Sequence, residues 1–371
     1  MARQKYVELF RALPFQQIAD TPTVKYYTDW KAFEERLGLP YSERELEIPR
    51  YLSHLKAHLK LGKEISFAKA EGVEISGSPR EPFSLLQVGD KVTAYHAASW
   101  RAGAHLELRG DFGNVLVLST GGESYMGHHL TLRAAEGSSG NLYIVDVLPS
   151  GHNLKTFLFE GVFEPRSKVG VHLLSLHSRD SVAFTAGKLL ISDEAEVESR
   201  SLVVGGKMSR VQVDYVVKGK EAKLKALASS LARGGTKADF ILNSYNVGAY
   251  SEVTVSGRGA ALNRGYLSLR GSAIVEESAY QASSEIELQV VMIGEEARGF
   301  AVPVLEIHSG DVAKGNHSAG ISHISQDHLF YLLSRGLSRE DAERLMVSGI
   351  LSYSGLAEEL SLEPMELLSE A

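Results

Sequence analysis

Short aliphatic runs recur through the middle of this chain: Val115-Leu116-Val117-Leu118, Leu142-Tyr143-Ile144-Val145, Leu189-Leu190-Ile191 and Glu252-Val253-Thr254-Val255. Others alternate with polar residues, as in Val211-Gln212-Val213-Asp214-Tyr215-Val216-Val217, Leu267-Ser268-Leu269-Arg270-Gly271 and Ile286-Glu287-Leu288-Gln289-Val290-Val291. Each is bounded by Gly, Ser, Asn or Asp, and runs punctuated in this way predict β-strands. More than a dozen follow one another with almost no convincing helix between them. That excludes an alternating βαβ sheet and leaves a sandwich, a barrel or a solenoid. Proline agrees: none lies between Pro165 and Pro303, and a residue without an N–H is confined to sheet edges and bulges.

Both ends follow a longer period. After Pro49, Leu52, Leu55 and Leu59 fall at i, i+3 and i+7 before Gly62, predicting an amphipathic helix with a glycine stop. Trp30, Phe33 and Leu37 repeat the pattern over residues 28–37. Near the other end, Ser325 is placed to cap a helix that carries Leu329, Leu332 and Leu333 and stops at Gly336. Ser338 with Asp341 makes an Asp variant of a capping box for a second helix, and the tail after Leu351 reads as helical and acidic. Leu224, Leu227 and Leu231 have helical spacing inside the strand-rich middle, so periodicity alone predicts a helix there. The expected order is a helical region over residues 1–88, a β region over 89–310 and a second helical region over 311–371.

With 44% hydrophobic and 23% charged residues in a chain of 371, the composition is that of a globular protein and excludes a disordered or collagen-like one. Forty-six acidic against 39 basic residues leave a net charge of −7, so no global positive field holds nucleic acid or anionic lipid. No apolar run is long enough to span a bilayer, and the first residues lack the apolar core of a signal peptide; a cytoplasmic location is expected. The absence of cysteine rules out disulfides, a cysteine nucleophile, and thiolate ligands to zinc or iron from this chain.

Motifs for chemistry are scarce. The Gly-Lys pairs beginning at 62, 187, 206 and 219 are never followed by Ser or Thr, so there is no phosphate loop, and HExxH, GxSxG and a strand-to-helix GxGxxG are missing. Histidines 308, 317, 323 and 328 gather where the β region meets the final helices. Imidazole is a common metal ligand, although histidines gathered without fixed spacing are more often caps and surface groups around a turn than a metal site. His172 and His177 are five apart, which puts them on opposite faces of a strand, and the adjacent His128 and His129 offer no ligand spacing. The acidic runs at 193–196 and 276–277 lack the pattern of a calcium loop, and Arg258, Arg264 and Arg270 are too scattered for a nucleic-acid patch.

One long constellation is specific. Pro303-Val304-Leu305-Glu306-Ile307 is followed by His317, by Leu329-Phe330-Tyr331-Leu332-Leu333-Ser334-Arg335-Gly336, and by Ala342 and Gly349-Ile350. It closely resembles the C-terminal signature of the SufB/SufD family of iron–sulfur cluster assembly scaffolds, and is most similar to SufD-like members. The resemblance continues upstream through Gly205-Gly206, Arg210, Asp239, Ser251, Gly271 and Ile293-Gly294. It implies a right-handed parallel β-helix flanked by N- and C-terminal helical segments, with residues 224–231 forming part of a coil. It also implies pairing with a SufB-like chain or a second copy, and docking of the ABC-type ATPase SufC on the C-terminal helices. Within those helices Leu329, Phe330, Tyr331, Arg335 and Gly336 become the candidate partner-binding residues.

Departures from the family bear on chemistry. The SufB cysteine position corresponds to Leu288, the SufD Cys-x-His pair to Gly315 and His317, and the SufB glutamate after that histidine to Ser318. His317 is left as the candidate metal or cluster ligand at a dimer interface. A single imidazole does not hold a cluster, so none is expected to bind stably to this chain alone, and an iron–sulfur cluster is expected only on a complex. The resulting expectation is a non-catalytic assembly subunit, with ATP hydrolysis in the partner. The alternatives are a carbohydrate-active β-helix enzyme, which would need paired carboxylates or calcium in a groove, and an independent homodimeric binding protein.

Overall fold

The computed structural model describes residues 2–21, 24–324, 326–364 and 366–367. The chain opens with α1 (Ala2–Ala12) and α2 (Trp30–Glu34), the short strands β1 (Leu59–Leu61), β2 (Ile65–Phe67) and β3 (Val73–Ser76), and α3 (Lys91–Ser99). A solenoid follows, two strands to a coil: β4 (Ala102–Leu108) with β5 (Asp111–Ser119), β6 (Tyr125–Ala134) with β7 (Ser139–Leu148), β8 (Leu154–Phe163) with β9 (Lys168–His177) and β10 (Val182–Ile191) with β11 (Glu196–Val204). It continues through β12 (Met208–Val217) and β13 (Lys223–Arg233), β14 (Lys237–Asn246) and β15 (Glu252–Leu262), β16 (Tyr266–Val275) and β17 (Ser283–Ile293), and β18 (Arg298–Ile307) and β19 (Lys314–His323). Helices α4 (Gln326–Ser334), α5 (Arg339–Leu351) and α6 (Leu356–Glu359) complete the described chain.

From β4 onward the even strands stack in one sheet and the odd strands in another, each parallel to the strand one coil away. Lys168 lies beside Glu196, Glu196 beside Lys223 and Lys223 beside Glu252, steps of 28, 27 and 29 residues. One side chain in two points into the space between the sheets, where Leu106, Phe157, Phe159, Tyr215, Phe240 and Leu288 form the main core. The outer faces are covered too. Trp30, Phe33, Val92 and Tyr95 pack on Leu158 and Phe184 of the even sheet. Val347, Leu351 and Leu356 pack on Leu174, Leu202 and Leu231 of the odd sheet.

Double-sided burial explains the leucines with helical spacing. Residues seven apart on a strand face opposite sides, and Leu224 of β13 enters the main core while Leu231 goes under the C-terminal helices. The expectation of a helix after Pro49 is corrected: only a 3₁₀ turn forms, at Arg50–Leu52, and Leu59–Leu61 is β1, paired with β5. There the open ladder of β5 outweighs local period, with Leu59 and Leu61 both fully buried. The pattern at residues 28–37 yields only the short α2. Strand β19 carries the solenoid past residue 310, where the sequence suggested the β region ends; it holds few apolar residues because it buries almost none of them. Ser338 caps α5, its hydroxyl accepting the Asp341 N–H at 3.0 Å, whereas Ser325 lies outside the described residues.

Candidate functional site

The ends of the solenoid are finished differently. At the amino end β2 runs antiparallel to β1, and β3 antiparallel to β4. Short reversed strands of this kind blunt a sheet edge. At the carboxyl end β18 pairs with β16 and β19 with β17, and among the described residues no further strand follows. All of β19 is exposed except Gly320, which is half-buried. Val304, Ile307 and Ile321 are large apolar side chains left in solvent there. Two adjacent edges with free backbone donors and acceptors, flanked by apolar side chains, form a template for strand addition.

His317 stands in this open coil. It is in register with Ile286, and the burial of Ile286, Leu288 and Val290 marks the inward-facing row. His317, Ala319 and Ile321 continue that row on β19, where no further coil covers them. Gly315 belongs to it as well, since a Cβ there would lie 2.8 Å from the Ile307 Cδ1 on the facing sheet. Leu288 is fully buried one strand further in, and Ser318 faces the other way. His308 and His323 do not converge on His317. His308 follows β18 with its Nε2 3.7 Å from Glu306 Oε2. His323 is six residues along the strand, about 20 Å away at the usual rise. The side chain of His328 lies outside the described residues. No three His, Cys, Asp or Glu side chains form a metal-binding group among the described residues. One imidazole with no thiolate or carboxylate beside it does not make a donor set for an iron–sulfur cluster.

Beyond β19, α4 packs chiefly on α5. Leu329 is buried, but Phe330, Tyr331 and Leu333 are exposed, Phe330 at 73%, with Leu345 of α5 exposed as well. Of the apolar positions Leu329, Phe330, Leu332 and Leu333, Leu329 is buried and Leu332 half-buried, because α4 packs chiefly on α5 and leaves the others in solvent. Arg335 sits over the Tyr331 ring at 5.2 Å, and Gly336 takes φ +91° just past the helix end, a conformation that favours glycine. By contrast α5 and α6 are fastened down. Ser229 Oγ donates to the Ile350 carbonyl at 3.1 Å, the Tyr353 and Ser256 hydroxyls are 2.7 Å apart, and Arg200 pairs with Glu359.

A family model described as SUF system FeS cluster assembly, SufBD core domain, matches residues 117–350, well over half of the chain. The chain belongs to the SufBD family. It is 27% identical over 210 residues to the iron–sulfur cluster assembly protein SufD of Bacillus subtilis, which is 49% of this chain and 48% of that protein. It is 24% identical over 257 residues to an iron–sulfur cluster assembly SufBD family protein of Mycobacterium leprae, 69% of this chain and 28% of the relative. SufB of B. subtilis is 26% identical over 148 residues, 40% of this chain and 32% of its own length. The chain thus spans about half or less of the curated relatives it matches. The family region runs from β5 into α5 and so contains both the open coil and α4.

Two residues that carried the family resemblance, Arg210 and Asp239, form a clamp. The buried Asp239 carboxylate accepts Arg210 Nη1 at 2.8 Å, Arg270 Nε and Nη2 at 2.8 and 2.7 Å, and the Thr28 hydroxyl at 2.6 Å. Arg270 Nη1 reaches on to Asp20 at 2.7 Å, so Asp20 and Thr28 are both tied to the even sheet. Burial alone would raise the Asp239 carboxyl; Arg270 and Arg210 outweigh it and hold it below the ordinary range. Arg270 looked like a scattered charge in the sequence, since only the register puts it beside a residue 31 positions away.

Other buried networks also escaped the sequence. His128 points inward to Ser119 Oγ at 2.9 Å, while His129 points outward between His96 at 3.2 Å and Glu160 at 2.9 Å. Lys155, Asp146 and His177 form a second interior network, with Lys155 Nζ 2.5 Å from Asp146. His172, on the opposite face from His177 as its spacing implied, lies against Tyr143. A groove of about 590 Å³ along the odd sheet is lined by Lys168, Glu196, Lys223 and Glu252. Glu196 and Glu252 are paired with lysines at 3.0 and 3.1 Å and Glu198, also in the lining, with Arg200 at 2.8 Å, so the groove offers no support for glycoside chemistry.

Proposed function

We propose that this chain is a SufD-like, non-catalytic subunit of a Suf-type iron–sulfur cluster assembly complex. It pairs through β18 and β19 with a SufB-like chain and docks a SufC-type ABC ATPase on α4. The observation that carries this reading is the asymmetry of the solenoid: one end blunted by reversed strands, the other open with nearly all of β19 in solvent. Two bare strand edges, with Val304, Ile307 and Ile321 in solvent beside them, call for a strand from a neighbour. The exposed Phe330 and Tyr331, with Arg335 and Gly336 at the helix end, supply an apolar surface for a second partner, while the buried Leu329 anchors α4. ATP hydrolysis belongs to the ATPase, since this chain has no phosphate loop. The cluster is cargo of the complex: the SufB-like partner supplies thiolates, and His317 adds one imidazole from the shared end.

Co-expression of the tagged chain with the SufB-like and SufC-like proteins of its own organism tests this, with and without ATP. Recovery of both partners, with the ATPase lost from a Phe330→Ala/Tyr331→Ala variant, is the expected result. Recovery of the chain free of both partners under all conditions would overturn it.

A further inference from the structure

Far from the open end, the loop at residues 79–86 crosses the outer face of β4, β6 and β8 and leaves a cleft of about 530 Å³. The loop is pinned by the sheet beneath it. Glu160 accepts the backbone N–H groups of Phe83, Leu85 and Leu86 at 2.6, 2.6 and 2.9 Å, and Thr131 Oγ1 accepts that of Arg80 at 2.9 Å. Glu81 and Phe83 are held at φ +45° and +66°, so the loop's shape is enforced by these bonds rather than by local preference.

Three arginines surround one buried carboxylate in this cleft. Glu107, 2% exposed, accepts Arg133 Nη1 at 2.6 Å, while Arg109 Nη2 is 3.4 Å away, His105 Nε2 3.5 Å and Arg80 Nη1 3.6 Å. Arg133 is held on its far side by Glu164 at 3.0 Å. Among the described residues Arg80 has only Glu74 besides, at 3.9 Å, and the guanidiniums of Arg80 and Arg109 donate no hydrogen bond. Glu160 is fully engaged by the loop and by His129, and Glu81 is out at the rim. The cleft therefore presents two guanidinium forks with unused donors, oriented by an anchored carboxylate, above a floor that includes Leu85 and Val162.

We propose that this cleft binds a small, multiply charged oxyanion, a phosphate ester or a di- or tricarboxylate, between Arg80 and Arg109. A guanidinium fork matches the spacing of two oxygens on such a group and is weakly hydrated, so it trades water for ligand at low cost. The volume is that of a small-molecule site and exceeds a bare phosphate, so the ligand carries a body that rests on Leu85 and Val162. Arg133, bound to Glu107 and Glu164, positions the buried carboxylate.

Calorimetric titration of the full chain at low ionic strength with pyrophosphate and, separately, with citrate is the test. Saturable binding of either is expected, at least tenfold weaker in an Arg80→Ala/Arg109→Ala variant and unchanged in an Arg44→Ala/Arg166→Ala control that removes the same charge elsewhere. Preference for pyrophosphate or for citrate identifies the ligand as phosphorylated or carboxylic. All four arginines are more than half exposed, so the variants should keep the parent unfolding temperature, which is measured alongside. No saturable binding of either anion, or equal binding by the double variant, would overturn the proposal.

Discussion

Gly315 and His317 share one face of β19, about 7 Å apart along the strand, and both are exposed. Removing the imidazole should leave stability alone but lower cluster yield: His317→Ala is expected to keep the parent unfolding temperature while the complex with the SufB-like chain holds less iron and sulfide. Gly315→Cys restores a thiol beside it, displacing only the tip of Ile307, and should raise that yield; unchanged iron content in both variants would remove this row from the chemistry. Asp239 is different in kind, because it is buried and neutralises two arginines. Asp239→Ala should cost about 3–5 kcal/mol in urea unfolding, the range for breaking a buried ion pair from one side. The buried histidines set the pH response. Burial, and next Arg200, push His172 down to about 4, and burial with Lys155 pushes His128 down to about 3. The unfolded chain takes up protons near pH 6.5 that the native state refuses, so stability is complete above about 6.5 and falls as pH drops toward 4. A shift the size of that at His172 corresponds to about 3 kcal/mol. Unfolding free energies at about pH 7.5, 6 and 5 should decline in that order, less steeply in His172→Gln; a flat profile would show these histidines are not buried as described.

Among the elements, the two long C-terminal helices have opposite fates. Leu351 of α5 is fully buried against the odd sheet, so Leu351→Ala should cost about 2–5 kcal/mol. Phe330→Ala with Tyr331→Ala on α4 should change stability by no more than about 0.5 kcal/mol, as exposed positions do, while abolishing capture of the ATPase. Equal losses of stability in the two variants would mean that α4 is core and not a docking surface. Deleting everything after Ser322 is a poor test of docking, because it strips the cover from Leu174, Leu202 and Leu231. The sequence made the strands legible wherever an apolar run met a turn signal, as at 115–118 and 211–217, and it located α5 from its Ser338 cap. It misread residues 52–59 because leucines at helical spacing there serve separate contacts, Leu52 under the C-terminal helices and Leu59 in β1 in the main core; it left 224–231 ambiguous because a strand buried on both faces shows no period of two, and leucines scattered over both faces imitate a helix. Strand β19 was missed because a terminal coil has no partner to bury against, so its residues lack the apolar pattern that marks the others.

At the scale of the whole molecule the solenoid is a one-dimensional stack, and its character lies in how the two ends are terminated. Which residues meet across coils is set by a register of 27 to 29 residues in its middle, so Arg210, Asp239 and Arg270 become neighbours only when the coils are stacked. Local pattern reading does not reach that far. His317 was legible as a candidate through its place in a long family signature, while its openness to solvent and its sharing of a face with Gly315 required the fold. The amino end is blunted by β1, β2 and β3, and the carboxyl end presents β18 and β19 bare. Hydrogen–deuterium exchange of the chain, alone and with the SufB-like partner, addresses that end directly. Slowed exchange concentrated in β18 and β19, with the amino-terminal strands unchanged, is the result expected of pairing through the open coil. Partner binding that leaves the amides of β18 and β19 exchanging as fast as before would contradict it.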